Sequence, residues 1–316
     1  SYTSLYPQPQ TPQSQVGVYM VYTNSSIENV VEPLGTFTYS TSKRGWVSTL
    51  GVVPGRSYKV FGFHPATGLE SNSRLDYFNA SQAVLTLPTM SAVSSIDVCV
   101  AVGVAKGGPS TFIEQSGISL GNFDYVATEA DNYIYLLVDH LFSCMNFSFM
   151  IDETYKELRD IVVRSVSIQP TNGAEKVTIK VTLKLDLPET NPITEVTYTQ
   201  EGTESAAATI FDSPAADDNP ADDEGLLQTA TALTIPGYFL PPTSSGPTSF
   251  DVTTTYDVLD KKGIIVRKNA SATNTITVNS ALERGQKHTI NVLVKPTYLY
   301  QLSDNDLNNP KLTFSD

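Results

Sequence analysis

The chain has 316 residues, of which 40% are hydrophobic and 17% charged, and 36 Thr and 31 Ser make up much of the rest. That length suits one large domain or two ordinary ones, with a core that needs no covalent staples. Lys and Arg number 20 against 33 Asp and Glu, a net charge of −13, and so acidic a surface repels phosphate backbones and excludes nucleic acid as a partner.

Residues 1–15 hold three Pro and four Gln and read as a flexible Pro/Gln-rich lead-in. Strand text begins at Val16, with Val16, Val18, Met20 and Tyr22 alternating on one side. Residues 36–40, 46–50, 57–63, 83–87 and 96–104 follow as short β-compatible runs broken by Gly, Pro, Asn and Ser. Both sides of 98–104 are apolar, which predicts a central strand covered on both faces.

A Gly-, Ser- and Asn-rich stretch at 107–132 precedes a fresh apolar run at 133–138. This places a division between a unit over 16–135 and another over 136–316. Residues 152–160 predict one short helix, acidic early and basic late. The cleanest alternation spans 177–187. There Val177, Ile179, Val181, Leu183 and Leu185 point one way, and Thr178, Lys180, Thr182, Lys184 and Asp186 the other. Residues 205–225 read as a long acidic surface loop, and 257–267 as a hairpin with Gly263 supplying a positive φ. The pattern predicts an all-β protein of two antiparallel β-sandwiches.

Catalytic and metal chemistry finds little support in the residues. Two cysteines, Cys99 and Cys144, are too few for a disulfide scaffold or a multi-cysteine metal site. They are expected in different domains as buried reduced thiols. No Gly-x-Ser-x-Gly elbow occurs. His140 precedes a strand, and a backbone group is expected to satisfy its ring; His64 before Pro65 reads as a strand-end residue. Asp217, Asp218, Asp222, Asp223 and Glu224 lack the spacing of a calcium loop and read as solvated, as do Asp304, Asn305 and Asp306. No catalytic residue, no cofactor and no metal site is therefore expected.

Several phrases share an order and spacing: Lys43–Arg44–Gly45–Trp46; Tyr58 through Pro65; Asp97–Val98–Cys99–Val100; Asp139–His140–Leu141–Phe142–Ser143; Arg284 through Val292; and the tail from Tyr298 to Leu307. Together they resemble the fimbrillin family, the type V pilin-like proteins of Bacteroidetes-type bacteria, over nearly the whole chain after residue 16. The resemblance implies two transthyretin-like sandwich domains, export as a lipoprotein to the cell outer membrane or a fimbrium, and a role in adhesion. It also implies polymerisation by strand exchange after a protease cuts at an Arg. Other fimbrial subunits, and receptors on host or bacterial surfaces, are the implied partners. The first Arg, Arg44, runs straight into strand text and is a poor processing site. With no cysteine before Cys99, membrane attachment is expected only through an N-terminal lipid anchor lying outside this chain.

A sandwich lacking one strand exposes unpaired backbone groups beside an apolar groove, and a donated strand satisfies both. The candidate exchange segments are Val16, Val18, Met20 and Tyr22 at one end, and Tyr298, Tyr300, Leu302, Leu312 and Phe314 at the other. The alternative is a surface glycan-binding lipoprotein that does not polymerise, which requires exposed aromatics such as Trp46. A hydrolase would require two carboxylates about 5–10 Å apart in a cleft.

Overall fold

The computed structural model describes residues 15–23, 29–43, 45–79, 82–104, 124–171, 173–184, 193–202, 207–213, 223–297 and 307–315. Its strands are β1 (Gln15–Thr23), β2 (Asn29–Val31), β3 (Gly35–Ser40), β4 (Gly45–Val47), β5 (Ser57–His64), β6 (Arg74–Asn79), β7 (Gln82–Ser91), β8 (Cys99–Val104), β9 (Tyr125–Val126) and β10 (Tyr135–His140). They continue as β11 (Ser143–Ile151), β12 (Asp160–Pro170), β13 (Lys176–Leu183), β14 (Ile193–Glu201), β15 (Ala208–Asp212), β16 (Leu233–Leu240), β17 (Thr248–Leu259), β18 (Ile265–Val278), β19 (Lys287–Lys295) and β20 (Lys311–Ser315). A helix, α1 (Glu153–Leu158), lies between β11 and β12. The all-β class expected from the Thr- and aromatic-rich runs is what the chain adopts.

The first sheet runs β10-β8-β5-β1-β3-β4, with β2 beside β1 and β9 beside β5. It is apolar on both faces. Tyr19, Val21, Phe61, Phe63, Val100 and Val102 join the main core. Val16, Val18, Met20, Tyr58, Val60 and Ala127 form a second cluster on the opposite face, against which Trp46, Leu50, Val52 and Tyr125 pack. Double-sided burial explains why β1 and β8 read as nearly continuous apolar runs. Gly17 is required in this sheet, because a Cβ there would lie 2.6 Å from the ring of Phe63 on the paired strand.

The facing sheet, β14-β13-β7-β6, combines strands distant in sequence. β13 pairs antiparallel with β7, so Val177, Ile179, Val181 and Leu183 share one buried face with Ala83, Leu85 and Leu87. Phe61 meets Tyr77 across the two sheets at 6.3 Å between ring centroids, and the Tyr19 hydroxyl donates to the Ser73 carbonyl at 2.9 Å.

Two further sheets run β16-β11-β19-β20 and β15-β12-β17-β18, touching along β15–β16 and β18–β20. Within the first of them β11 and β19 are parallel, while the other pairs are antiparallel. Phe147, Phe149, Ile235, Ile290, Val292 and Leu312 extend the same core into this region. The predicted hairpin is the β17–β18 turn, with Gly263 at φ 81°. The predicted helix is α1, where the Asp152 side chain accepts the Tyr155 N–H at 3.0 Å as the N-cap.

Candidate functional site

The two ends of the chain occupy unlike positions. β1 is interior: β5 pairs with Gly17–Val21 on one side, and β3 and β2 share the other. Val16, Val18 and Met20 are buried and Tyr22 is half-buried, its ring stacking edge-on with Tyr58 at 5.7 Å and lying 4.0 Å from the Arg56 guanidinium carbon. This segment completes its own sheet. Withdrawing it would split the sheet down its middle and expose both apolar faces.

β20 is the opposite case. It is a five-residue strand at the outer edge of its sheet, and among the described residues it pairs with β19 alone. Its register runs from Lys311 opposite Lys295 to Ser315 opposite Asn291. Leu312 is buried in the core and Phe314 is half-buried against it. β19 continues back to Lys287, so among the described residues its 287–290 segment has a neighbour in β11 and none on the β20 side. An antiparallel strand entering there would find main-chain donors and acceptors already aligned.

The approach to β20 is tethered by polar contacts. The buried hydroxyl of Tyr155, on α1, donates to the Leu307 carbonyl at 2.5 Å. Arg159 Nε donates to Asn308 Oδ1 at 3.0 Å, and Arg267 Nη1 to the Asn308 carbonyl at 3.2 Å. Burial holds the Tyr155 phenol well above its ordinary pKa, so it remains a donor. Tyr298, Tyr300, Leu302 and Arg44 lie outside the described residues, as do Asp304, Asn305 and Asp306.

The acidic loop departs from its solvated reading at one residue. Asp217, Asp218 and Asp222 lie outside the described residues, but Asp223 is buried. Its Oδ2 pairs with Arg164 Nη1, and its Oδ1 accepts the Gly225 N–H at 3.0 Å. Arg164 Nε also donates to the fully buried Asp257 at 2.8 Å. Burial alone would lower the Arg164 pKa, but the bonds from Asp257 and Asp223 outweigh it and raise it. One cation between two carboxylates is a structural clamp, because each buried charge is hydrogen-bonded. Composition could not mark Asp223 out from the other acidic residues around it.

His140 also has a different partner from the backbone group expected. Its Nδ1 lies 2.9 Å from Asp97 Oδ2 and 3.4 Å from Cys99 Sγ. Burial, reinforced by Asp97, pushes the Cys99 thiol well above its usual range. A Cys-His-Asp nucleophile would require carboxylate and sulfur on opposite ring nitrogens. Here both crowd the same nitrogen around a thiol held protonated, an arrangement unsuited to nucleophilic catalysis. Trp46, the residue suggested for glycan stacking, is half-buried and turned edge-on to Tyr39 at 5.6 Å.

No protein-family model matches the chain, and no curated protein matches it. Among solved structures it is similar to a fimbrial protein from Bacteroides vulgatus at 14% identity and a TM-score of 0.46, covering 95% of this chain and 91% of that one. It is similar to a protein assigned to cell adhesion from Bacteroides fragilis at 10% identity and a TM-score of 0.45, covering 100% and 91%. It is also similar to the fimbrial anchor protein Mfa2 from Porphyromonas gingivalis at 8% identity and a TM-score of 0.28, covering 90% and 84%.

Proposed function

We propose that the chain is a fimbrial, pilin-like adhesion subunit of the bacterial outer surface, without enzymatic activity, that assembles with other subunits by β-strand donation. The ordered phrases that resemble fimbrillins support the family reading. The observation that carries the assembly step is β20: among the described residues, a short edge strand with one neighbour, two inward-facing apolar residues and a stretch of β19 beside it with no partner on that side. A donated strand of the same alternation would replace β20 residue for residue, with its side chains in the Leu312 and Phe314 positions. β1, locked between neighbours on both sides, is the less accessible of the two candidates.

Two samples test the reading. The full chain is imaged by negative-stain electron microscopy before and after limited trypsin treatment, and a chain ending at Pro310 is titrated with a labelled peptide of residues 311–316. Filaments, together with saturable peptide binding that is lost when Leu312 and Phe314 are both replaced by Asp, are the expected results. Monomers before and after trypsin, with no peptide binding, would overturn strand donation.

A further inference from the structure

The register of the first sheet brings together residues that the sequence keeps apart. Cys99 on β8 is paired with His140 on β10 and with His64 on β5. Cross-strand partners project from the same face of a sheet, so the three side chains share one end of one face. Asp97, two residues before Cys99, turns its carboxylate into the group. One ligand atom from each of Asp97, Cys99 and His140 lies within 4.8 Å of the others. We propose that Asp97, Cys99 and His140 bind a single divalent transition-metal ion of the zinc type.

Three features support this. The first is convergence. A tetrahedral zinc ion with ordinary bond lengths places its nitrogen and sulfur ligands about 3.6 Å apart and its nitrogen and oxygen ligands about 3.3 Å apart. Here Nδ1 of His140 is 3.4 Å from Cys99 Sγ and 2.9–3.0 Å from the Asp97 oxygens, so an opening of a few tenths of an ångström admits the ion. The second is burial: His140 is 6% exposed and Cys99 4%, so the nitrogen and sulfur ligands are held in place by the core around them.

The third is chemistry. Calcium and magnesium take oxygen ligands, while a mixed sulfur, nitrogen and oxygen set selects zinc and its neighbours. On binding, the Cys99 thiol loses its proton to solvent and the His140 imidazole stays neutral with its proton on Nε2. The thiolate and carboxylate then balance the 2+ charge. Behind the site, Arg284 Nη1 donates to Asp139 at 2.7 Å and approaches the His140 carbonyl at 3.5 Å, fixing the end of β10. Bound there, the ion would pin β8 to β10 just before the chain passes into β11.

The test is cobalt titration of the purified full chain, followed by absorption spectroscopy and inductively coupled plasma mass spectrometry. One cobalt per chain is expected, with a thiolate-to-cobalt charge-transfer band, tetrahedral d–d bands and loss of both signals on adding zinc. Cys99→Ser should abolish the charge-transfer band and Cys144→Ser should keep it. Asp97→Asn and His140→Gln should each weaken cobalt binding by at least about tenfold. The unmodified chain decides first: no stoichiometric cobalt with a sulfur band overturns the proposal whatever the variants do. A band that survives Cys99→Ser, or disappears in Cys144→Ser, overturns it too.

Discussion

Ile179 of β13 lies directly opposite Leu87 of β7, and both side chains are fully buried. Those two strands are separated by the whole run from β8 to β12, yet they form the centre of one sheet. A chain ending at Leu141 therefore loses two of the four strands of that sheet and leaves the apolar face of β7 without its partner. We expect the 1–141 fragment to lack a cooperative urea transition and dispersed amide resonances. In the full chain, Ile179→Ala should cost about 2–5 kcal/mol by the same measurement. A well-dispersed spectrum from the fragment would show that β13 is dispensable.

The clamp on Arg164 is expected to be asymmetric. Arg164→Ala leaves Asp223 and Asp257 facing each other in the interior with no cation, and should lose about 3–5 kcal/mol. Asp223→Asn keeps the Asp257 pair and a hydrogen-bonding side chain, so it should lose less. Urea midpoints for the two variants decide the order, and an Arg164→Ala chain as stable as the parent would mean the clamp contributes nothing net.

Local order was legible in the residues, and long-range register was not. Alternation over 177–187 identified the buried side of β13 because side-chain direction in a strand has a period of two and needs no knowledge of the partner. Which strands lay beside it could not be read, since the alternation marks a buried face and names neither of its neighbours, β7 and β14. The same limit hid the Asp97, Cys99 and His140 group. Its members are 43 and 41 residues apart in their paired contacts, and they meet only because β8 and β10 take one register and not its neighbour. Asp223 was obscured for another reason: its burial is set by Arg164, a tertiary partner, while the composition of the loop around it speaks only for solvent. The Asp152 cap and the Gly263 turn were easier, because each is decided within about five residues.

Gly225 should be irreplaceable. Its carbonyl accepts the Val163 N–H at 2.8 Å, and a Cβ at this position would lie 1.9 Å from the Val163 carbonyl oxygen. The contact is with backbone on a core strand, which cannot swing aside as a long side chain can. Gly225→Ala is expected to destabilise by at least the ~1–3 kcal/mol typical of overpacking. A thermal midpoint equal to that of the parent would show that the loop moves freely away from β12.

Stability should fall in acid partly through Asp160. Its carboxylate lies 2.9 Å from Lys156 Nζ and 2.9 Å from Lys261 Nζ. Burial by itself would raise its pKa, but the two lysines outweigh that and hold its carboxyl below the usual aspartate value. The unfolded chain thus binds the proton more readily than the folded one. The stabilisation is complete above the unfolded pKa, about 4, and is lost as pH falls through the lower folded value. Urea midpoints measured across that range should decline more steeply for the parent than for Asp160→Asn. Parallel declines would assign the acid sensitivity to other carboxylates.

The Tyr155 hydroxyl offers a way to loosen β20 without touching the strand. It is buried and donates to the Leu307 carbonyl at 2.5 Å, where the described chain resumes before β20. Removing the hydroxyl in Tyr155→Phe forfeits about 0.5–1.5 kcal/mol and strands an acceptor. If the edge strand opens on its own, that loss appears there first: amide exchange over Lys311–Ser315 should quicken by about two- to tenfold, while the central strands β11 and β12 keep their protection. An edge strand poised to be exchanged requires this local behaviour, since a donor can enter only while β20 is out. Equal acceleration across β11, β12 and β20 would mean that β20 opens only with global unfolding. A subunit built that way could not trade its last strand while remaining folded.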